Sequence, residues 1–156
     1  MNLIMHFNPP HEDWFARVPN FRRNPNAKVS EEFRRLGAQR NWRPQGRTWR
    51  KHWYACMDAE YNRLIGYRDI DLMTWQQMCA KLGLHANLRS ITKCKRGVSH
   101  VHVNIVDIID CWEADERPQL FKSRKELSNY VKTGMRFPLD IIRQDKVLRV
   151  FLAHID

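Results

Sequence analysis

The residues best suited to chemistry in this sequence are the cations and aromatic rings between Arg17 and Lys51. This stretch holds eleven Lys and Arg residues but only two acids, Glu31 and Glu32, so it carries most of the chain's net charge of +10. Three tryptophans lie in it or just beyond it: Trp42, Trp49 and Trp53. Guanidinium and ammonium groups neutralise phosphates, and flat rings stack on bases. The pattern therefore indicates a polyanionic partner.

The charge imbalance argues against an ordinary solvated surface, which would intersperse the two signs of charge. Trp49 and Trp53 stand four residues apart on a predicted helix, a spacing typical of core positions, and we assign both to the core. We predict that contacts with nucleic acid come from the following residues: Arg34, Arg35, Arg40, Trp42, Arg43, Arg47, Arg50 and Lys51.

Metal chemistry has weaker support in the sequence. Asp107, Asp110 and Glu113 recur every third residue, which would allow a Mg²⁺ site on a helix flank, but no second acid cluster accompanies them. We therefore expect a solvated helix end there. His100 and His102 would offer two ligands from a strand, yet no nearby acid or Cys completes a site. The sequence predicts no metal and no cofactor.

Covalent catalysis is also weakly supported. The four cysteines form no CxxC pair and no short Cys/His couple, and each lies in an apolar periodic stretch, so we expect buried free thiols. His52 and Cys56 stand four residues apart, but Cys56 lies on the predicted core side and no third group orients the pair. Nucleotide-binding, metalloprotease and hydrolase motifs are missing from the sequence. We predict that the protein is not an enzyme.

The elements that must position these residues are predicted to be helices. We expect a single all-α bundle of about six helices over residues 26–156, with an extended, proline-rich N-terminal arm over 1–25 packed on it. Asn24 or Asn26 would cap the first helix, which contains Val29, Phe33 and Leu36. The second would run over residues 47–65, with a core side and a basic side, and end at Gly66.

The later helices follow from cap and stop signals. Asp69 or Asp71 would cap a third helix, with Gly83 as its left-handed C-terminal residue. Residues 90–112 fit both a helix and, over 98–109, an alternating strand; we choose the helix. A capping box at Ser123 and Glu126 would open a helix with buried apolar residues Leu127, Tyr130 and Val131. The apolar side of the last helical region, interrupted near Asp145, would be formed by Leu139, Ile142, Leu148, Phe151, Leu152 and Ile155.

Several strings in the chain resemble a group of small basic proteins of filamentous fungi to which no activity is assigned. The strings are FRRNPNAKVSEEFRRLGAQRNW, WQQMCAKLGL, SITKCKRGVSHVHVNIVDIID, FKSRKELSNYV and LRVFLAHI, within about residues 14–155. The resemblance implies a eukaryotic, intracellular single domain and transfers no function.

Three functions of different classes are consistent with these observations. The first, which we favour, is a nucleic-acid or chromatin-associated module that contacts phosphates through residues 34–51. The second is a protein-interaction domain whose basic face docks on an acidic partner or on segment 107–116 of another copy. The third is an enzyme using Asp107, Asp110 or the two histidines. No apolar run approaches the length of about 18 residues that a membrane span needs, and we expect an intracellular, nuclear protein.

Overall fold

The computed structural model describes residues 13–66, 71–84, 88–132 and 134–152, and within them the chain is predominantly helical. In chain order the elements are α1 (Val29–Gln39), α2 (Arg47–Tyr61), α3 (Leu72–Lys81), α4 (Ile91–Ser99), β1 (His102–Val103), α5 (Ile105–Cys111), β2 (Leu120–Phe121), α6 (Arg124–Lys132) and α7 (Leu139–Gln144). Shorter turns of helix lie at Trp14–Arg17, Asn62–Gly66 and Leu148–Leu152. The predicted all-α class is confirmed.

Helices α1 and α2 pack through the aromatic residues that the sequence assigned to the core. The ring of Phe33 lies 5.2 Å from that of Trp49 and 4.9 Å from that of Trp53. Both tryptophans are only 5% exposed, so their predicted core positions are confirmed. The predicted end of the second helical region is also confirmed, because α2 continues as a π turn as far as Gly66.

The prediction that Asn24 or Asn26 caps α1 is wrong. Helix α1 has no capping bond from its own N-cap residue, Lys28. Its cap comes from α5, where the carboxylate of Asp110 accepts hydrogen bonds from Ser30 N at 3.0 Å and Ser30 Oγ at 2.5 Å. Asn24 instead accepts a bond from Asn26 N within its own turn. A cap supplied by a residue this distant in the chain leaves no local signal in the sequence.

Helix α3 begins and ends at the predicted residues. The side chain of Asp71 accepts a hydrogen bond from Thr74 N at 2.9 Å, while the alternative cap, Asp69, lies outside the described residues. Gly83 has φ of +76°, the left-handed conformation that ends a helix at low cost only for glycine. Between these ends, Trp75 is fully buried.

Residues 90–112 do not form the single helix that we predicted. Helix α4 ends at Ser99, β1 pairs antiparallel with β2, and α5 starts at Ile105. Asn104 causes the second start, because its side chain accepts a hydrogen bond from Val106 N at 3.2 Å. The side-chain amide of Asn104 also donates to the carbonyl of Met135, at 3.2 Å. The local cap and the alternating valines outweighed the helical spacing of the longer window.

The described part of the N-terminal segment, from Asp13 onward, packs on the helices and is not wholly extended. Trp14–Arg17 forms one 3-10 turn, opened by the side chain of Asp13, which accepts from Phe15 N. Phe15 is 1% exposed, and Arg23 forms ion pairs with Asp13 and with Glu60 of α2. The predicted extended arm is therefore interrupted by this 3-10 turn and by further turns at residues 19–20 and 25–26.

The last third of the chain is more exposed than predicted. Ser123 Oγ accepts from Glu126 N at 3.2 Å, as the capping box requires, but the Glu126 carboxylate accepts from Lys122 N, one residue earlier than in the standard box. Helix α6 buries none of its residues: Leu127 and Val131 are half-buried, and Tyr130 is 37% exposed.

The predicted interruption of the final helix is confirmed at Asp145, which follows α7 and accepts from Val147 N and Leu148 N. Leu139 is 44% exposed, contrary to its predicted place on the apolar side, and Ile155 lies outside the described residues. Among the residues that the structure describes, no helix has the length and apolar content of a membrane span.

Candidate functional site

The turn between α1 and α2 is held in a tight, partly left-handed conformation. Asn41 and Gln45 have φ of +57° and +63°, and Gly46 N donates to the carbonyl of Arg43 at 2.8 Å. A Cβ on Gly46 would lie 2.9 Å from that same carbonyl oxygen, so the turn requires glycine there. Arg50 Nε donates back to the carbonyl of Gln45 at 2.6 Å, which ties α2 to the turn.

Trp42, which lies in this turn, packs against other aromatic rings. Trp42 stacks on His52 with ring centroids 4.3 Å apart and planes 2° from parallel, and its ring also contacts Phe33 at 5.9 Å. One face of the Trp42 ring is therefore covered by His52. The pKa of His52 is lowered below its ordinary value, mainly by burial and to a smaller extent by the nearby charge of Lys51. Trp42 has a structural role here, and we leave it out of the set of proposed contacts.

The start of α2 has none of the groups that normally complete a helix N-terminus. Its N-cap residue, Gly46, offers no side chain, and the first turn contains no acid. Arg47 is the first residue of the helix, and Arg50 and Lys51 follow within the next turn. The unpaired N–H groups and the helix dipole already make this end positive, so placing three cations here is electrostatically unfavourable.

Four of the predicted contact residues are exposed around this helix start: Arg43, Arg47, Arg50 and Lys51. Within the described chain, no carboxylate lies within 4.0 Å of their charged groups. The Cβ and Cγ atoms of Arg43 lie against Gly46, so its side chain begins at the helix start. The structure therefore joins these four cations into one cluster, which we call the α2 cationic cluster.

The other three predicted arginines have partners within the fold. Arg35 binds the carboxylate of Glu32 at 2.7 Å, and its guanidinium lies 4.3 Å from the centre of the Phe21 ring. The Arg35 hydrogen bond lowers the pKa of Glu32. Arg40 donates to the carbonyl of Pro19, and Arg34 Nε to Met135 Sδ at 3.1 Å. The Arg35–Glu32 pair lies within α1, while the contacts of Arg35 with Phe21, Arg40 with Pro19 and Arg34 with Met135 fasten other segments to it.

On another side of α2, cations are matched by carboxylates. Glu60 is fully buried and binds Arg23 at 3.0 Å and Arg63 at 2.6 Å, and Arg63 also binds Glu113 at 3.3 Å. Burial raises the pKa of Glu60 against the opposing effect of these arginines. The network links the N-terminal segment, the end of α2 and the residues after α5, and its role is structural.

The acidic residues near α5 do not form the solvated helix end that we expected. Asp107 and Asp110 are half-buried, and burial raises the pKa of both carboxyl groups. Asp110 caps α1, Asp107 is hydrogen-bonded by Tyr130, and Glu113 joins the ion-pair network. Among the described residues, no group of three or more His, Cys, Asp or Glu side chains has a metal-binding arrangement.

The four thiols are buried and free, as predicted. Burial raises the pKa of Cys56 well above its ordinary value, so its thiol is un-ionised at neutral pH and is a poor nucleophile. The ring of His52 is stacked on that of Trp42.

Sequence reasoning missed two cations at the edge of the cluster. Lys132 and Arg136 are exposed, and together with Arg50 they line a groove beside α2. The carbonyl of Arg136 accepts a hydrogen bond from Trp53 Nε1 at 2.6 Å, which holds this segment against α2. Because they lie some eighty residues from α2 in the chain, local spacing carries no signal for them.

Comparison with known proteins gives no match to this chain among protein families, curated proteins or solved structures. The resemblance noted from the sequence strings thus stays an expectation.

Proposed function

We propose that this protein is a nucleic-acid-binding module that contacts phosphates through the α2 cationic cluster. The observation that carries the proposal is the start of α2. Among the α-helices in the described part of the chain, α2 alone begins with neither a capping bond from a side chain nor an acid in its first turn. Every other helix has at least one of the two.

The unfavourable electrostatics of this helix start support a bound anion. A cation at a helix N-terminus costs about 0.3–1 kcal/mol, whereas an anion there gains a similar amount. A phosphate placed among Arg43, Arg47, Arg50 and Lys51 would receive hydrogen bonds from the free backbone N–H groups and ion pairs from the side chains. Contacts of this kind are independent of base sequence. On this proposal the protein works where nucleic acid is concentrated, in the nucleus of a eukaryotic cell.

An acidic protein is the competing partner for the same cations. Self-association, in which the cations would bind segment 107–116 of another copy, has less support because three carboxylates of that segment are engaged within their own chain. Asp110 binds Ser30, Glu113 binds Arg63 and Glu116 lies 3.7 Å from Lys28.

The salt dependence of binding tests the proposal. If the four cations of the cluster each neutralise one phosphate, log affinity should fall with log salt at a slope of about −3.5 or steeper for duplex and about −2.8 for single strands. Replacing Arg47, Arg50 and Lys51 by Gln should reduce the slope by up to about 2.7 for duplex and 2.1 for single strands. Gln has good helix propensity, so circular dichroism should be unchanged.

A matched control removes the same charge elsewhere. Arg89, Lys93 and Arg96 are exposed on and just before α4, whose N-terminus is capped by Ser90. Replacing these three by Gln should leave the slope close to that of the parent protein. Equal flattening by both triple variants would mean that binding follows net charge and not the cluster. A parent protein that binds neither form of nucleic acid at low salt would reject the proposal and favour the acidic protein partner.

A further inference from the structure

A groove of about 610 Å³ runs beside α2, between that helix and residues 131–132, 134 and 136–139. Its volume is within the range of about 300–1,000 Å³ typical of small-ligand sites. Trp53 Nε1 donates to the carbonyl of Arg136, so one wall is fixed to α2 by a hydrogen bond. The exposure of Leu139, which the sequence pattern had placed in the core, arises here because its side chain lines this groove.

The lining combines aromatic rings with cations. Trp49, Trp53, Tyr54 and Phe137 are among the lining residues; Tyr54 is 43% exposed, whereas the other three are core residues that reach the groove only at their edges. No carboxylate lies among the described residues of the lining. The charged residues of the groove are all cationic: Arg50, Lys132 and Arg136. A ligand that suits this lining is flat, apolar on its faces and attached to negative charge. A nucleobase with its phosphates has these properties, whereas an aliphatic chain would make no use of the rings.

The groove is continuous with the α2 cationic cluster. Arg47, Arg50 and Tyr54 stand at i, i+3 and i+7 along α2, so they lie on one face of the helix. Arg50 belongs both to the cluster and to the groove. Tyr54 is 43% exposed at the groove end of this row, which leaves its ring accessible for stacking. A strand whose phosphates follow the cations would therefore bring a base to Tyr54.

We infer that this groove binds an unstacked base of a single-stranded nucleic acid, with Tyr54 as the stacking residue and Arg50, Lys132 and Arg136 as phosphate contacts. The inference rests on the proposed function and narrows it from nucleic acid in general to single strands. A duplex keeps its bases stacked and paired, and would have to open before a base entered the groove.

Binding of two oligonucleotides of equal length and charge tests the inference. One is oligothymidine; the other carries abasic residues on the same phosphate backbone. At one salt concentration, the parent protein should bind oligothymidine more tightly by about 5- to 150-fold, the range for one stacked base. Tyr54→Ala should bring this ratio close to one and leave affinity for the abasic chain unchanged. Tyr54→Phe keeps the ring and should retain most of the ratio.

The matched control is Met73→Ala, which removes a large apolar side chain of α3 that is 64% exposed and does not line the groove. Its ratio should equal that of the parent protein. Equal affinities of the parent protein for the two oligonucleotides would overturn the base site while leaving phosphate binding intact. Such a result would be expected if an acidic peptide were the true occupant. If neither oligonucleotide binds at low salt, the proposed function fails and the base site fails with it.

Discussion

The N-termini of α1 and α2, two helices that pack against each other, are completed in opposite ways. Helix α1 receives the carboxylate of Asp110 from α5 and has Glu31 and Glu32 in its first turn. Helix α2 receives no capping side chain and no acid, and it begins with Arg47. Any α-helix N-terminus presents the same N–H groups and the same dipole to be satisfied. The described part of the fold therefore supplies a capping carboxylate to one helix end and supplies neither a capping side chain nor a first-turn acid to the other.

This difference separates charges that build the fold from charges that are available for binding. The cations near the acids of α1 and α2, such as Arg23, Arg35 and Arg63, each have a carboxylate partner. The cations of the α2 cationic cluster have none within the described chain. Pairing within the fold is thus what distinguishes two sets of residues that look alike in the sequence.

Breaking the completed end should have the largest effect on stability. Replacing Asp110 by Ala leaves Ser30 N–H and Oγ without their acceptor in a largely buried position, so the free energy of unfolding at neutral pH should fall by about 1–3 kcal/mol. Asp110→Asn keeps an acceptor oxygen and should lose less. Urea unfolding followed by circular dichroism measures both variants. A loss below about 0.5 kcal/mol for Asp110→Ala would show that α1 does not depend on this cap.

The helical class and the residues of the α1–α2 core were predictable because their signals are local. Val29, Phe33 and Leu36 repeat with helical spacing, and Asp71 and Gly83 mark the ends of α3 within one turn. The cap of α1 was not predictable, since Asp110 is brought to it by tertiary packing. The break at Asn104 was missed because helical spacing was counted over a window longer than either of the two helices that form.

The cationic character of the candidate site was predictable from the sequence, but only some of its residues were. The excess of cations identified the region, but sequence alone could not separate Arg35, which Glu32 neutralises, from Arg47, which has no partner in the described chain. Lys132 and Arg136 reach the groove because their parts of the chain pack beside α2, where the carbonyl of Arg136 accepts a hydrogen bond from Trp53. The position of Tyr54 on the groove became clear only from the fold.

Adding an acid to the first turn of α2 tests the contrast between the two helix ends, with a smaller expected effect on the free energy of unfolding. Thr48, the second residue of the helix, is exposed. Relative to Thr48→Gln, Thr48→Glu should raise the free energy of unfolding by about 0.3–1 kcal/mol, because a negative charge now faces the helix N-terminus. The same substitution should weaken nucleic-acid binding, since it occupies the positive site. Stability and affinity should thus change in opposite directions.

The mirror experiment is made at α1, where Glu31→Gln removes an acid from the first turn and should lower stability by about 0.3–1 kcal/mol. Nucleic-acid affinity should not fall in that variant. If Thr48→Glu proves less stable than Thr48→Gln, the N-terminus of α2 does not lack negative charge, and the contrast between the two helices is wrong.

The smallest effect concerns His52, which lies next to Lys51 and stacks on Trp42. Burial and the charge of Lys51 lower its pKa in the folded protein, so below its unfolded pKa of about 6.5 the unfolded chain binds more protons than the folded chain. The stability of the fold should therefore fall as pH falls through that value and down to the folded pKa. His52→Phe keeps a flat ring on Trp42 but has no titrating group. Over the same pH range, its free energy of unfolding should fall less than that of the parent protein.

Bound nucleic acid should bring the pKa of His52 back toward its ordinary value, because phosphates among the cations of the cluster offset the charge of Lys51 and favour the protonated imidazole. Binding should then take up protons, so affinity should increase as pH falls toward 6, more steeply in the parent protein than in His52→Phe. Parallel titrations of affinity and stability in the two proteins measure both effects. Identical pH curves for stability would show that burial of His52 does not oppose its protonation. A difference in stability without any difference in affinity would place the bound phosphates away from Lys51 and the open end of α2.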